Sequence, residues 1–303
     1  MEAVLETHAL SKSYGSRVAV RSLDLVVGRG EIFGFLGPNG AGKTTTIRMA
    51  LGLIRPTAGS VSIFGEDLHS RPQRVLPRVG ALVESPALYL YMSGRDNLQA
   101  VADVLGGVAR GRIDEVLGLV GLAERQRDLV RRYSLGMKQR LGLAMALLAD
   151  PELLILDEPA NGLDPAGVVE MRDLLRRLAA EGKTIFISSH VLAEVQQLCT
   201  RVAIINLGQL VKVAAVADLV ASHGEFQVGI EDSAAVLELL HRQDWGAAAR
   251  IEDGLVITLS PTGRGRDLTR FLAAAGYWPD SVGERRVDLE DIFLSLTGAE
   301  TEA

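Results

Sequence analysis

The first 36 residues alternate short apolar runs with glycine and polar clusters, a pattern that predicts β-strands. These runs lie at residues 4–6, 18–20, 23–27 and 32–36. The last run continues directly into a glycine-rich turn. Between residues 91 and 150 the apolar positions recur at helical spacing instead, as in Ile113, Val116, Leu117 and Val120. That change of period predicts a helical insertion after the opening strands.

Strand patterns return at residues 153–156, 184–188 and 202–205, with amphipathic helical patterns between them at residues 168–180 and 192–199. Alternating strand and helix predicts a mainly parallel sheet. We therefore expect residues 1–215 to form an α/β domain, with the helical insertion at about residues 85–150.

The composition shifts near residues 213–224, and residues 222–303 are expected to form a small α+β accessory domain. Its pattern predicts, in order, strand 226–230, helix 233–243, strand 247–251, strand 255–259, helix 267–275 and strand 282–287. This order is the ferredoxin-like split βαβ arrangement. A last helix is predicted at residues 289–296, followed by an acidic tail at residues 300–303.

Composition and charge narrow the class of protein. The chain is 48% hydrophobic and 23% charged, and its formal net charge of -6 offers no global attraction to nucleic acid or anionic lipid. No apolar run approaches the roughly 20 residues that cross a bilayer, and the N-terminus does not resemble a secretory signal. The single cysteine, Cys199, fits a reducing compartment and is expected to be a small buried hydrophobe. These features predict a cytoplasmic protein.

A phosphate-binding loop follows the run at residues 32–36. The match to G-x-x-x-x-G-K-[ST] comprises Gly37, Pro38, Asn39, Gly40, Ala41, Gly42, Lys43 and Thr44. Its place between a predicted strand and a predicted helix is the context that the motif requires. The glycines let backbone N–H groups converge on a phosphate, and Lys43 is expected to contact the β- and γ-phosphates. Thr44 is expected to bind Mg²⁺, and Thr45 to offer a further donor to the phosphates.

Two adjacent carboxylates, Asp157 and Glu158, end the apolar run at residues 153–156. Ligands bind at the carboxyl edge of a parallel sheet, where the phosphate loop also lies. Because successive strand residues point to opposite sides, the two side chains can take different roles. Asp157 is predicted to support Mg²⁺, and Glu158 to orient or deprotonate the attacking water. Together these motifs indicate a P-loop NTPase that uses Mg²⁺.

The segment Tyr133-Ser134-Leu135-Gly136-Met137-Lys138-Gln139 resembles the signature motif of ABC-type ATPases, commonly written LSGGQ. It departs from the common form at Tyr133, Leu135 and Met137. The resemblance implies that Ser134 and Gly136 contact the γ-phosphate of an ATP held by the opposite subunit. A serine hydroxyl and an exposed N–H at a helix N-terminus form a small anion site. Taken alone, the same serine could equally be an ordinary helix cap.

The resemblance covers about residues 3–205 and implies roles for further side chains. Tyr14 resembles the aromatic residue that stacks on adenine. Asp164 resembles the aspartate that crosses the dimer interface and couples the two sites. His190 resembles the switch histidine that reaches the γ-phosphate. The other histidines match no motif and are expected to be surface or hydrogen-bonded core residues: His8, His69, His223 and His241.

One position departs from the family pattern. Glu84 stands where such proteins normally carry a glutamine, at the entry to the helical insertion. A carboxylate can coordinate Mg²⁺ or orient water, but when ionised it cannot donate a hydrogen bond as an amide does. Glu84, the signature segment and residues 94–98 together resemble the ATPases of bacitracin and lantibiotic exporters. The C-terminal domain is similar to that of drug and antibiotic exporters.

The resemblance implies an ATPase, active as a homodimer, that drives export through a separate transmembrane permease. It also implies a peripheral location at the cytoplasmic face of the cell membrane. A basic cluster is predicted to form a solvated face or a contact surface for lipid or permease: Arg125, Arg127, Arg131 and Arg132. The alternative is an ABC ATPase that acts on ribosomes or DNA. ABC ATPases that act on ribosomes usually carry two cassettes in one chain. Those that act on chromosomes carry a long coiled-coil insertion.

Overall fold

The computed structural model describes residues 2–220, 224–285, 289–290 and 292–293. The chain divides into a first unit, which comprises the residues up to Val216 together with Phe293, and a second unit, Ala217–Ile292. The strands of the first unit are β1 (Ala3–Tyr14), β2 (Arg17–Gly28), β3 (Ile32–Leu36), β4 (Ala58–Ile63), β5 (Glu66–Asp67), β6 (Val79–Leu82), β7 (Leu153–Asp157), β8 (Thr184–Ser189), β9 (Arg201–Asn206) and β10 (Gln209–Ala215). Its helices are α1 (Lys43–Ala50), α2 (Pro72–Val75), α3 (Gly94–Val104), α4 (Arg112–Leu119), α5 (Leu135–Leu147), α6 (Pro165–Ala180), α7 (Leu192–Leu198) and α8 (Val216–Leu219), which extends past the division.

The N-terminal strands form an antiparallel sheet in the order β2-β1-β4-β5. The apolar runs at residues 18–20 and 23–27 belong to one strand, β2, so their prediction as separate runs is corrected. The β1–β2 ladder has several register shifts, which let a long strand bend while keeping its apolar side chains on the buried face. Leu5, Leu23 and Ile63 are fully buried in the core below this sheet.

A second sheet has the order β10-β9-β3-β8-β7-β6. Neighbouring strands from β9 to β6 pair in parallel, and β10 joins the edge in antiparallel orientation. This confirms the prediction of a mainly parallel sheet. Strands β3 and β7 are buried along their whole length, which explains their continuous apolar sequences. The carboxyl ends of β3, β7 and β8 therefore meet at one edge of the sheet.

The helical insertion contains α3, α4 and α5, joined by loops and short 3₁₀ turns. Ser93 and Ser134 cap α3 and α5 by accepting backbone N–H groups three residues ahead. Helix α5 packs closely on the loop that follows β6. A Cβ atom at Gly142 would lie only 2.6 Å from the Cβ of Pro86. The loop that follows β6 and the helix that begins at the signature segment are thus connected by direct packing.

The second unit has strands β11 (Phe226–Gly229), β12 (Arg250–Glu252), β13 (Leu255–Thr258) and β14 (Ser281–Glu284), with helices α9 (Ser233–His241) and α10 (Gly265–Ala274). The sheet order is β12-β13-β11-β14, with every pair antiparallel. The predicted strand at 247–251 begins too early, since β12 begins at Arg250. The preceding residues, 244–249, form turns in which the Gly246 and Ala249 N–H groups donate backbone hydrogen bonds. The end of the predicted strand 282–287, half of the helix 289–296 and the acidic tail lie outside the described residues.

Candidate active site

The predicted phosphate loop connects β3 to α1 at the carboxyl edge of the six-stranded sheet. Gly42 precedes the helix with φ 107°, a conformation that favours glycine. A Cβ atom at Gly42 would also lie 2.6 Å from the carbonyl oxygen of Ala19, and one at Gly37 would lie 2.5 Å from that of Ile205. Pro38, Asn39 and Gly40 are exposed, whereas Ala41 is buried. The glycines therefore permit a narrow loop that opens to solvent at its tip.

Lys43, the first residue of α1, is only 7% exposed. Its ammonium group donates a hydrogen bond to the carbonyl oxygen of Gly37 at 2.7 Å and lies 3.5 Å from Oε1 of Glu158. A buried amine needs such partners to offset the loss of hydration. The side chain therefore folds back over its own loop, between the loop carbonyls and the carboxylate. Thr45 lies on the same helix and is partly exposed.

Asp157 is the last residue of β7 and is buried. The Thr44 hydroxyl donates to its Oδ2 at 2.9 Å, and the Ser188 hydroxyl donates to its Oδ1 at 2.5 Å. The parallel register of β7 and β8 places Ser188 directly beside Asp157. The structure thus brings together Thr44 and Asp157, two of the three residues predicted to bind Mg²⁺.

Glu158 follows β7 in the left-handed region, with φ 49°. Its N–H donates to the backbone oxygen of Ser188 at 3.2 Å and to the hydroxyl of the same residue at 3.1 Å. These bonds hold a conformation that is unfavourable for a residue with a Cβ. The side chain contacts Nδ1 of His190 through Oε2 at 2.7 Å. Glu158, His190 and Lys43 therefore form one cluster.

A carboxylate of α7 lies beside this cluster. Glu194 and His190 line one cavity of about 180 Å³ together with Glu158. Burial raises the pKa of Glu194, and the nearby Glu158 carboxylate raises it further. Sequence reasoning gave no role to Glu194.

The signature residues lie at the start of α5. The Ser134 hydroxyl accepts the Met137 N–H at 3.2 Å, so the serine caps the helix. Gly136 lies in the first turn, where the absence of a side chain leaves its backbone accessible. Asp164 caps α6 in the same way, accepting the Gly167 N–H at 2.8 Å. Ser134 and Asp164 thus have a structural role within the chain, in addition to any contact across an interface.

Tyr14 ends β1 and is 49% exposed, with the Lys12 ammonium 5.2 Å from its ring centroid. An exposed aromatic face at this position is available to stack on a base.

Glu84 does not belong to the cluster that Lys43, Glu158 and His190 form. Its side chain is mostly exposed and pairs with Arg48 of α1 at 2.7 Å. A role of Glu84 in metal binding or catalysis remains a prediction.

Ser188 is a second residue of the site to which the sequence gave no role. Its hydroxyl donates to Asp157, and its backbone oxygen and hydroxyl accept the Glu158 N–H. The sequence signal for this role is the position of Ser188 near the end of the strand that pairs with β7. Cys199 is buried as predicted, and burial raises the pKa of its thiol. His8, His69 and His241 are exposed at their positions, and His223 lies outside the described residues.

Comparison with known proteins defines the class. The ABC transporter family model matches residues 20–161. A bacitracin transport ATP-binding protein of Bacillus licheniformis is 43% identical over 99% of both chains. A lantibiotic transport ATP-binding protein of Streptococcus pyogenes is 40% identical over 69% of this chain and 89% of its own. A solved structure described as an ATP binding subunit of an ABC transporter superposes with TM-score 0.65 and 30% identity, covering 71% of this chain and 91% of that one.

The fold and the cluster at its sheet edge define an ATP-binding cassette of the P-loop NTPase class. The chain belongs to the ABC transporter family, as one of its ATP-binding, ATP-hydrolysing proteins. This confirms the resemblance that the signature segment indicated. In the part of the chain that the structure describes, no helix has both the length and the apolar character required to cross a membrane.

Proposed function

We propose that this chain binds and hydrolyses Mg²⁺-ATP as a homodimer and thereby drives export through a separately encoded permease. The observation that carries the proposal is the cluster at the carboxyl edge. There, an ammonium group, two carboxylates and an imidazole surround the phosphate loop: Lys43, Asp157, Glu158 and His190. Each of these groups has its own proposed role.

ATP binding uses the loop and its flanking residues. The backbone N–H groups of the loop after Pro38 and the N-terminus of α1 supply donors to the α- and β-phosphates. Lys43 exchanges its bond to the Gly37 carbonyl for the β- and γ-phosphate oxygens. Adenine stacks on the exposed ring of Tyr14.

The Thr44 hydroxyl and the Asp157 carboxylate fit a magnesium ion, because both offer oxygen and already lie 2.9 Å apart. Magnesium, when bound, offsets the negative charge of the phosphates. The second Asp157 oxygen keeps its bond to Ser188, which fixes the carboxylate plane. Glu84 could join this site only after leaving Arg48.

Glu158 orients the attacking water and accepts its proton, since its carboxylate faces the loop beside Lys43. His190 contacts the same carboxylate through Nδ1 at 2.7 Å, which leaves Nε2 for the γ-phosphate. The hydrogen bonds from Ser188 to the Glu158 backbone hold this geometry. Hydrolysis yields ADP and phosphate, and the proton leaves through Glu158.

The homodimer is proposed because the signature segment offers a second anion site in addition to the phosphate loop. Ser134 and Gly136 present a hydroxyl and an open helix N-terminus, a small anion site. In the proposed homodimer these residues close over the γ-phosphate bound by the partner. Each ATP then lies between the phosphate loop of one chain and the signature segment of the other.

The permease contact is proposed on the helical insertion. Large hydrophobic side chains are exposed there: Tyr89, Leu90, Tyr91, Val104 and Leu105. Exposed apolar patches on a globular protein commonly mark interaction sites. The full-length similarity to a bacitracin transport protein favours export of an antibiotic or peptide-like substrate.

The test is purification of the tagged full-length chain from detergent-solubilised membranes of its own cells, with and without ATP. We expect a hydrophobic permease to co-purify, and the complex to hydrolyse ATP only when Mg²⁺ is present. Recovery of ribosomes or DNA in place of a permease would contradict the proposal and support the alternative class.

A further inference from the structure

The signature segment touches the loop that follows Glu158 in the same chain. Leu135 is the first residue of α5, and Gly162 lies in the loop between β7 and α6. A Cβ atom at Gly162 would lie only 2.7 Å from Cδ2 of Leu135. The leucine side chain therefore occupies space that is free because residue 162 has no side chain. Gly162 also has φ +75°, so the glycine serves both the turn and the contact.

Two further contacts join the same elements. Cδ2 of Leu163 lies 3.5 Å from the position of a Cβ atom at Gly136. One turn further along, Arg140 of α5 forms an ion pair with Glu170 of α6. The beginning of α5 is thus packed against the loop and the following helix at several points. Closely packed elements of this kind move together.

The loop also connects this contact to the catalytic carboxylate. The Asn161 N–H donates to the backbone oxygen of Glu158 at 3.0 Å, and the Leu163 N–H donates to that of Ala160 at 3.1 Å. These bonds make residues 158–163 a compact turn. A displacement at Gly162 is therefore transmitted over four residues to Glu158, whose own backbone conformation is already unfavourable.

We propose that Leu135 is a positioning residue for ATP hydrolysis. By packing on Gly162, it holds the turn that carries Glu158 in a fixed relation to Ser134 and Gly136. In the dimer, a chain that closes its signature segment on its partner's ATP thereby also sets its own Glu158. The departure from the common signature at position 135 is thus functional, and its partner is the glycine at position 162. This inference rests on the proposed function, because it requires the two-chain site.

The test is a double-mutant cycle in the full-length chain: Leu135→Ala, Gly162→Ala and both together. The kcat and KM for ATP are measured, together with the thermal unfolding midpoint. We expect each single change to lower kcat about tenfold, because small misplacements of catalytic groups have effects of this size or larger. KM should change less than about twofold, since the phosphate loop is not altered. Because both changes disrupt the same contact, the double variant should be no slower than the slower single variant.

Two controls separate the contact from backbone strain and from misfolding. Gly65 has φ +74°, and a Cβ atom there would meet nothing within 4 Å, so Gly65→Ala imposes similar strain without the contact. Its kcat should equal that of the wild type. Leu135→Met keeps the volume of the side chain and should retain nearly the full rate.

Independent, multiplicative losses in the double variant would overturn the inference. Wild-type kcat in both single variants would overturn it as well, as would an equal loss in Gly65→Ala. An active wild-type chain with any of these results contradicts only the role of Leu135. A wild-type chain that hydrolyses no ATP contradicts the proposed function itself.

Discussion

The six-stranded sheet carries carboxylates at both of its edges, but their partners differ. At the amino edge, Glu152 precedes β7 and forms ion pairs with Arg78 at 2.6 Å and Arg29 at 3.0 Å. Asp150, two residues earlier, pairs with Lys183 at 2.8 Å. These carboxylates have cationic partners from several elements, and the pKa of each is lowered by them.

At the carboxyl edge, the same strand ends in Asp157, whose hydrogen-bond partners are the neutral hydroxyls of Thr44 and Ser188. Among the described residues Asp157 forms no ion pair, so its negative charge is not offset by a side chain. Glu158 faces Lys43 and His190, both of which can turn to a phosphate. The carboxylates at the amino edge have cationic partners, whereas at the carboxyl edge Asp157 has neutral partners and Glu158 faces two groups that we propose bind phosphate. This difference predicts that substitutions at the two edges affect different measurements.

The largest effect is expected for Glu158→Gln. The amide cannot accept the proton of the attacking water, so kcat should fall by about three orders of magnitude while ATP binding is retained. The unfolding midpoint should stay the same or fall slightly, because the amide keeps the shape of the side chain but loses the charge that faces Lys43. Steady-state hydrolysis and nucleotide binding are the measurements. Hydrolysis at the wild-type rate would remove Glu158 from the mechanism.

Ser134→Ala tests whether the carboxyl edge needs a group from a second chain. Loss of the hydroxyl should lower kcat by about 10- to 100-fold, the range for a single donor to a charged transition state. Nucleotide binding to the isolated chain should not change. The matched control is Ser93→Ala, which removes an equivalent cap, at Asp96 N–H, from α3. Each loss of a cap should lower stability by about 1 kcal/mol. An equal loss of rate in both variants would mean that the serine acts only as a cap.

Ser188→Ala tests the carboxyl edge at a residue to which the sequence gave no role. Without the hydroxyl, Asp157 loses its 2.5 Å bond and the Glu158 N–H loses one of two acceptors. We expect kcat to fall roughly tenfold and the Mg²⁺ concentration for half-maximal rate to rise, as for other partners of metal ligands. Ser188→Thr keeps the hydroxyl and should restore most of the rate. Unchanged magnesium dependence in Ser188→Ala would refute a role in holding Asp157.

The phosphate loop, the paired carboxylates and the signature segment could be found from sequence because each is a local string with fixed spacing. Contacts between distant segments could not. Ser188 lies 31 residues from Asp157, and only the β7–β8 register joins them. The pairing of Glu84 with Arg48 likewise depends on where the end of α1 lies relative to the loop after β6. The sequence predicts two separate runs for strand β2, because its register shifts interrupt the alternation of apolar residues.

The smallest effect is expected for Glu152→Gln at the amino edge. The Arg78 guanidinium, with Arg29, lowers the pKa of Glu152 from its ordinary value of 4.5 to about 2. A carboxylate with a lowered pKa stabilises the fold fully above pH 4.5, and this contribution is lost as the pH falls towards 2. The three side chains are about two fifths exposed, so screening limits the contribution to about 1 kcal/mol.

The wild type should therefore unfold at higher urea concentration than Glu152→Gln at pH 7, and the difference should shrink between pH 4.5 and pH 2. The rate of ATP hydrolysis should be unchanged, because the amino edge lies away from the phosphate loop. Glu124→Gln removes an exposed carboxylate that forms no ion pair among the described residues, and it should change neither quantity. A loss of kcat in Glu152→Gln without a loss of stability would show that the two edges are not separated as their partners indicate.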